Sequence, residues 1–128
     1  SPWGGVVCSA LVAIVDDDPR IQELLGAELT DLDQPYCSYC SADALLTDIN
    51  NSQPALIFLA VLMPGMGGME CLQHLRQQGF GGAVVMFSAL NDAELQEQAK
   101  AAGANGWMLK AALFDNVEAV LNRYLPPA

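Results

Sequence analysis

The chain has 128 residues, of which 52% are hydrophobic and 16% charged, and its 15 acidic residues against 5 basic ones give a net charge of −10. This length suits a single domain, which usually has about 100–150 residues, and the hydrophobic fraction excludes an intrinsically disordered chain. The five fixed cations are dispersed along the chain, so no basic patch for nucleic acid or an anionic membrane surface is expected. The longest apolar stretches, such as residues 55–63, reach about half of the roughly 20 residues that a membrane-spanning helix needs, which predicts a soluble protein.

The N-terminal segment, residues 1–9, has no basic residue before its apolar part, so it is not expected to be a secretory signal. We interpret it as a linker or a remnant of expression cloning, and residues 10–126 as the domain. Disulfide frameworks are typical of smaller, secreted domains, so a reduced, cytoplasmic setting is expected. Cys37 and Cys40 have the spacing of a metal or redox pair, but residues three apart on a strand face opposite sides. The cysteines, which are Cys8, Cys37, Cys40 and Cys71, are therefore expected to be buried free thiols.

Two kinds of hydrophobic pattern alternate along the chain. Short apolar runs predict strands at residues 11–15, 36–40, 55–59, 83–87 and 106–109. The second and fifth of these runs are weaker and are expected at sheet edges. Helical spacing predicts helices at residues 21–32, 42–49, 69–78, 93–102 and 117–125. Five strand-helix repeats predict an α/β fold with a mostly parallel sheet, helices on both faces and ligands at the carboxyl ends of the strands.

Three consecutive acids, Asp16, Asp17 and Asp18, follow the first predicted strand. A nucleotide site would need glycines or hydroxyls here, whereas clustered carboxylates suit a hard cation such as Mg²⁺, which takes one or two carboxylates plus water. We expect Asp18 to cap the next helix, and Asp16 and Asp17 to form a metal site.

The other strand ends carry fewer polar groups. Glycines at 65, 67 and 68 follow the third strand, but no lysine or Ser/Thr comes after them as in a phosphate-binding loop, so they predict a loop-to-helix turn. Ser88 follows the fourth strand and Lys110 the fifth. Each residue alone would be an ordinary solvated polar side chain, but the predicted fold brings both together with the acids.

These segments, taken together, resemble the receiver domain of bacterial two-component response regulators over residues 11–125. The resemblance rests on residues 15–19 (VDDDP), 59–68 (LAVLMPGMGG), 87–89 (FSA) and 103–110 (GANGWMLK). It implies a flavodoxin-like (βα)5 doubly wound sheet of strand order 2-1-3-4-5. It also implies a domain that takes a phosphoryl group from a histidine kinase onto an aspartate at the end of the third strand.

The resemblance assigns roles to six positions. Asp16, Asp17 and the backbone carbonyl of Leu62 would bind Mg²⁺. Ser88 would be the switch hydroxyl, and Lys110 the cation that pairs with the phosphoryl group. Trp107 stands where the family has a switch aromatic, although it fits equally well as a partly exposed aromatic that packs on an edge strand.

Partners also follow from the resemblance: a sensor histidine kinase or phosphotransfer protein, and a downstream protein or output domain. The expected output face comprises residues 93–102, Trp107 and residues 115–125. A homodimer through this face is an open alternative.

The phospho-acceptor position, three residues before Met63, is occupied by Ala60. A methyl group is neither a nucleophile nor a metal ligand, so we expect no phosphorylation there, no autocatalytic phosphoryl transfer and weakened Mg²⁺ affinity. Survival of Asp16, Asp17, Ser88 and Lys110 favours an engineered substitution, because a site released from its chemistry would be expected to lose more than one member. Ala111, where the family usually has proline, favours natural drift and a reshaped loop, as in a pseudo-receiver that acts as a protein-binding module.

A nucleotide-binding enzyme of the doubly wound class is a third reading. The acids after the first strand disfavour it.

Overall fold

Five parallel strands form one sheet in the computed structural model, which describes residues 9–127 apart from the side chain at position 113. The strands are β1 (Val12–Val15), β2 (Tyr36–Tyr39), β3 (Leu56–Ala60), β4 (Ala83–Ser88) and β5 (Gly106–Leu109). Their order is β2-β1-β3-β4-β5, so the predicted order and both predicted edges are confirmed. The predicted linker falls almost entirely on residues 1–8, which lie outside the described residues.

Five helices alternate with these strands: α1 (Pro19–Asp31), α2 (Ala42–Ser52), α3 (Gly68–Gln77), α4 (Ala93–Ala101) and α5 (Lys110–Tyr124). The largest departure from the predicted bounds is in α5, which begins at Lys110 rather than near Val117. Ala111 and Ala112 favour a helix by propensity but add nothing to an apolar periodicity, so the pattern alone begins too late. No loop separates β5 from α5, and the described peptide bonds are all trans.

The two faces of the sheet bury different sets of side chains. Val12 and Ile14 pack under α1 and α5, whereas Ala13 and Val15 pack under α2, α3 and α4. This follows from the alternation of side chains along a strand, and β3, buried along its whole length, shows that both faces are covered.

Local capping fixes where the loops at the strand ends begin and finish. Asp18 caps α1 as predicted, with its carboxylate accepting from the Arg20 N–H at 2.9 Å. Gly79 and Gly103 follow α3 and α4 with φ values of 85° and 106°, the left-handed conformation in which glycine commonly ends a helix. A Cβ at Gly68 would collide with the carbonyl of Ala60, so only glycine lets α3 begin this close to the end of β3.

The guanidinium of Arg76 holds together the loops at the end of the sheet where β4 and β5 begin, which we call the amino edge. Arg76, on α3, donates to the carbonyls of Phe80 (2.7 Å), Gly82 (2.8 Å) and Gly103 (2.9 Å). It also donates to Asn105 Oδ1 at 2.9 Å, an oxygen that accepts the Val84 N–H at 2.8 Å. Because these acceptors come from two loops, the side chain joins the loops before β4 and β5.

The cysteines depart from the expectation of buried free thiols. Cys71 is a buried free thiol, but Cys40 is free and exposed because it follows the edge strand β2. Cys37 is buried and disulfide-bonded. Burial raises the pKa of the Cys71 thiol to about 12. Separately, none of the helices in residues 9–127 is long and apolar enough to cross a membrane.

Candidate functional site

Asp16 lies at the carboxyl end of β1 with a fully buried side chain. Its Oδ1 accepts the Asp18 N–H at 3.0 Å, and its own N–H donates to the Tyr39 carbonyl at 3.1 Å. The Gln22 amide donates to the Asp16 carbonyl at 2.6 Å and to the Tyr39 carbonyl at 3.2 Å. Backbone and side chain are therefore both held, so the carboxylate has a fixed position. Nothing in the sequence pattern singled out Gln22 for this task.

The second oxygen of this carboxylate faces Lys110. Asp16 Oδ2 lies 3.1 Å from Lys110 Nζ, and the lysine side chain is 25% exposed. The same ammonium lies 5.5 Å from the centroid of the Phe87 ring, within the range of a cation–π contact. The structure thus brings the acid of β1 and the lysine after β5 together across the sheet, with an aromatic ring that sequence reasoning missed.

The pKa values of Asp16 and Asp18, two acids of this loop, are shifted in opposite directions. Burial raises the pKa of Asp16, and the Asp18 N–H and Lys110 oppose that rise without cancelling it. The Arg20 side chain and N–H lower the pKa of Asp18, which lies at the surface. Only one acid of the run is therefore placed in a low-dielectric pocket.

Ala60, the last residue of β3, is fully buried. Its register partner on β4 is Phe87, and the pairing of Val15 with Leu59 puts Asp16 and Ala60 at the same level on adjacent strands. Ala60 belongs to the apolar cluster under α1 and α5. A methyl group therefore occupies the strand end next to the Asp16–Lys110 pair.

Ser88 completes the group at the carboxyl edge. It is 3% exposed, pairs in register with Leu109, and its Oγ accepts the Leu90 N–H at 3.1 Å. The hydroxyl hydrogen remains available to donate, and Lys110 follows directly after Leu109. Ser88 therefore ends β4, and Lys110 directly follows the neighbouring strand β5, as the fold predicts.

The remaining predicted cation ligands lie at the surface. Asp17 is exposed, and Leu62 is 66% exposed in the loop after β3. Within residues 9–127 no three acidic, histidine or cysteine side chains are grouped closely enough to hold a metal ion. Two carboxylates and a carbonyl match Mg²⁺ in kind, but Asp16 is already ion-paired and position 60 offers no side-chain oxygen. The donor set therefore fits a weak site at most.

Trp107 lies on edge strand β5 and packs with the residues under α2, α3 and α4. It is half-buried, and its indole N–H is buried without a hydrogen-bond partner. Of the two sequence interpretations, this placement is that of an aromatic packing on an edge strand; the switch role stays a prediction. On the opposite side of β5, a groove of about 400 Å³ lies against α5, lined by residues that include Met108, Val120 and Tyr124.

The structure has a parallel (βα)5 sheet with a buried acid, a lysine and a hydroxyl at the carboxyl ends of its strands. This is the arrangement expected of a receiver domain. The model of the response regulator receiver domain matches residues 12–122. The chain belongs to this family.

Curated relatives and solved structures that are similar to this chain agree with the match to the receiver-domain family. The transcriptional regulatory protein MalR of Bacillus subtilis is 30% identical over 88% of this chain and 49% of its own length. The receiver domain of NtrX from Brucella abortus is 28% identical, with a TM-score of 0.83 over 91% of this chain and 99% of that one. Chemotaxis protein CheY4 of Vibrio cholerae is 25% identical, with a TM-score of 0.83 over 92% and 100%. The chain spans about half the length of MalR, or less in other curated relatives.

Proposed function

We propose that this chain is a two-component receiver domain that is fixed in its unphosphorylated state because Ala60 stands at the acceptor position. The observation that carries the proposal is the buried methyl group at the end of β3, at the same level as Asp16 and beside the Asp16–Lys110 pair. Asp16, Ser88 and Lys110 lie at this edge, and the group that is absent beside them is the nucleophile.

Phosphoryl transfer needs little covalent help but requires cations and donors around the equatorial oxygens. In this chain Lys110 supplies a fixed ammonium and Ser88 a hydroxyl that can donate. Asp16, Asp17 and the Leu62 carbonyl would hold Mg²⁺, which supplies charge neutralisation when bound. Without a position-60 carboxylate that affinity is weak, and the chain is not an enzyme.

The partners follow from the same reading. We infer that a sensor histidine kinase or phosphotransfer protein approaches the carboxyl edge, and that a downstream protein or output domain uses α4, Trp107 and α5. The setting proposed is cytoplasmic, and the disulfide bond of Cys37 departs from the reduced environment expected there. Direct binding of nucleic acid or membrane is not proposed, since the chain has five fixed cations against 15 acids.

The test restores the nucleophile. Ala60→Asp, incubated with Mg²⁺ and a small phosphodonor, is expected to gain one hydroxylamine-labile phosphoryl group on residue 60, measured by mass spectrometry of the intact chain and its peptides. Ala60→Asn is the matched control, because it has nearly the same size and no nucleophile. Uptake by neither variant contradicts a receiver pocket that lacks only its acceptor.

A phosphorylation-independent binding module is the second candidate. The observation that favours it is the groove between β5 and α5, whose apolar lining is accessible without any change at position 60. Under this reading the substitution is natural, and Ala60→Asp leaves partner binding or self-association unchanged. Sedimentation of the parent chain and of Ala60→Asp, each with and without phosphodonor, distinguishes the receiver from the binding module.

A further inference from the structure

The ammonium of Lys110 occupies the place where the charges of the carboxyl edge meet. It lies 3.1 Å from the buried Asp16 Oδ2 and 5.5 Å from the centre of the Phe87 ring. Phe87 is the register partner of Ala60, so the ammonium lies over the strand pair that carries the acceptor position. Both contacts stabilise a positive charge at this point, and the first is an ion pair that lacks hydrogen-bond geometry at Asp16 Oδ2.

The buried charges of the pocket already balance. A buried carboxylate needs a paired cation, because desolvation of a lone ion is costly, and Asp16 has one in Lys110. Ala60 contributes no charge, and Asp17 is exposed to water. One buried negative charge therefore faces one largely buried positive charge, with no surplus to attract a second cation.

A divalent cation would need the same oxygen. Asp16 Oδ1 accepts the Asp18 N–H, so Oδ2 is the atom free of backbone contacts and the one that Lys110 contacts. Mg²⁺ keeps most of its waters and binds through one or two carboxylates, and Asp16 is the only buried carboxylate in residues 9–127. The two cations therefore compete.

We propose that Lys110 is the resident cation of this pocket and excludes Mg²⁺ from Asp16, so that the pocket is neutral and metal-independent. The inference rests on the proposed function only in taking Asp16 and Asp17 as the cation ligands. The inference predicts that removal of the Lys110 side chain improves the binding of Mg²⁺. A purely structural role for Lys110 predicts the opposite.

The experiment removes the ammonium and measures metal binding alone. Lys110→Met is expected to bind Mg²⁺ or Mn²⁺ at least about tenfold more tightly than the parent chain in calorimetric titrations, which corresponds to losing one competing ion pair. Lys100→Met is the matched control, since Lys100 is the other lysine of the chain and is exposed on α4. It changes net charge equally and should alter affinity less than about twofold.

Lys110→Gln provides a second neutral variant, with a polar side chain in place of the apolar one of Lys110→Met. If either variant is unstable, its thermal midpoint should rise with Mg²⁺ far more than that of the parent chain, since the metal replaces the lost cation. Equal tightening in the Lys100 and Lys110 variants, or Lys110 variants that neither bind metal more tightly nor gain stability from it, overturns the inference. The assay involves no phosphoryl transfer, so its failure leaves the Ala60→Asp result untouched.

Discussion

Each end of the sheet holds one cation, and the two are held in different ways. At the amino edge, Arg76 is surrounded by neutral oxygens from Phe80, Gly82, Gly103 and Asn105, and the structure gives it no ion pair within residues 9–127. At the carboxyl edge, Lys110 has a single buried carboxylate as its partner. A cation bound by many backbone carbonyls ties loops together. One bound by a single anion can exchange partners, which suits a functional pocket.

The largest effect is expected from breaking the amino edge. Arg76→Met should lower the free energy of unfolding by about 3 kcal/mol or more, because several part-buried carbonyls lose their donor at about 1–3 kcal/mol each. Urea titration followed by circular dichroism measures the loss. Arg123→Met, an exposed arginine on α5, is the control and should change stability by less than about 0.5 kcal/mol. A loss below about 1 kcal/mol for Arg76→Met would contradict the tie between the two loops.

At the carboxyl edge, adding a charge should cost less. In chelator, Ala60→Asp is expected to be about 1–3 kcal/mol less stable than the parent, since a second buried carboxylate faces Asp16 and Lys110 offsets only part of the repulsion. Thermal melts measure this, and Mg²⁺ should recover part of the loss. Ala60→Asn separates the effect of size from that of charge. Equal midpoints for Ala60→Asp and the parent would refute it.

The residues of the carboxyl edge could be predicted better than those of the amino edge, because each belongs to a short sequence motif. Asp16, Ser88 and Lys110 each follow an apolar run, and the parallel order of the strands brings them together. The asymmetry of the acidic pair was not predictable. Burial of Asp16 and exposure of Asp17 depend on which way each side chain leaves the strand end, and residue type alone does not carry that information.

The amino edge could not be found from the sequence. Arg76 contacts a carbonyl 27 residues away, that of Gly103, and its other acceptors are mostly backbone atoms that every residue has. The start of α5 was missed for a related reason, because alanines after Lys110 carry no periodicity. Sequence patterns predict elements whose side chains repeat, whereas contacts between loops depend on the assembled fold.

Between the two edges lies the apolar core, which disfavours a buried charge, and the Cys71 thiol in that core provides a test of this. The folded thiol has its pKa raised to about 12 from 9.0, so the unfolded chain releases its proton first. Stability from this group is complete below pH 9 and is lost as pH rises towards 12, by about 1.4 kcal/mol per pH unit. Cys71→Ala should flatten the alkaline slope by one proton in urea titrations. An unchanged slope would show that the thiol ionises in the folded protein.

The smallest expected effect tests whether the two acids differ in the way their burial implies. Asp17 is exposed, so Asp17→Asn should change the free energy of unfolding by less than about 0.5 kcal/mol. Asp16→Asn removes the partner of Lys110 and should cost clearly more, because a part-buried ammonium loses the one anion that pairs with it in residues 9–127. Metal binding should not follow stability: in the Lys110→Met background, Asp17→Asn should still weaken Mg²⁺ binding, since it removes one of two carboxylates. If Asp17→Asn leaves that affinity unchanged, Asp16 alone is the cation ligand, and the exposed acid belongs to the solvated surface rather than to the pocket.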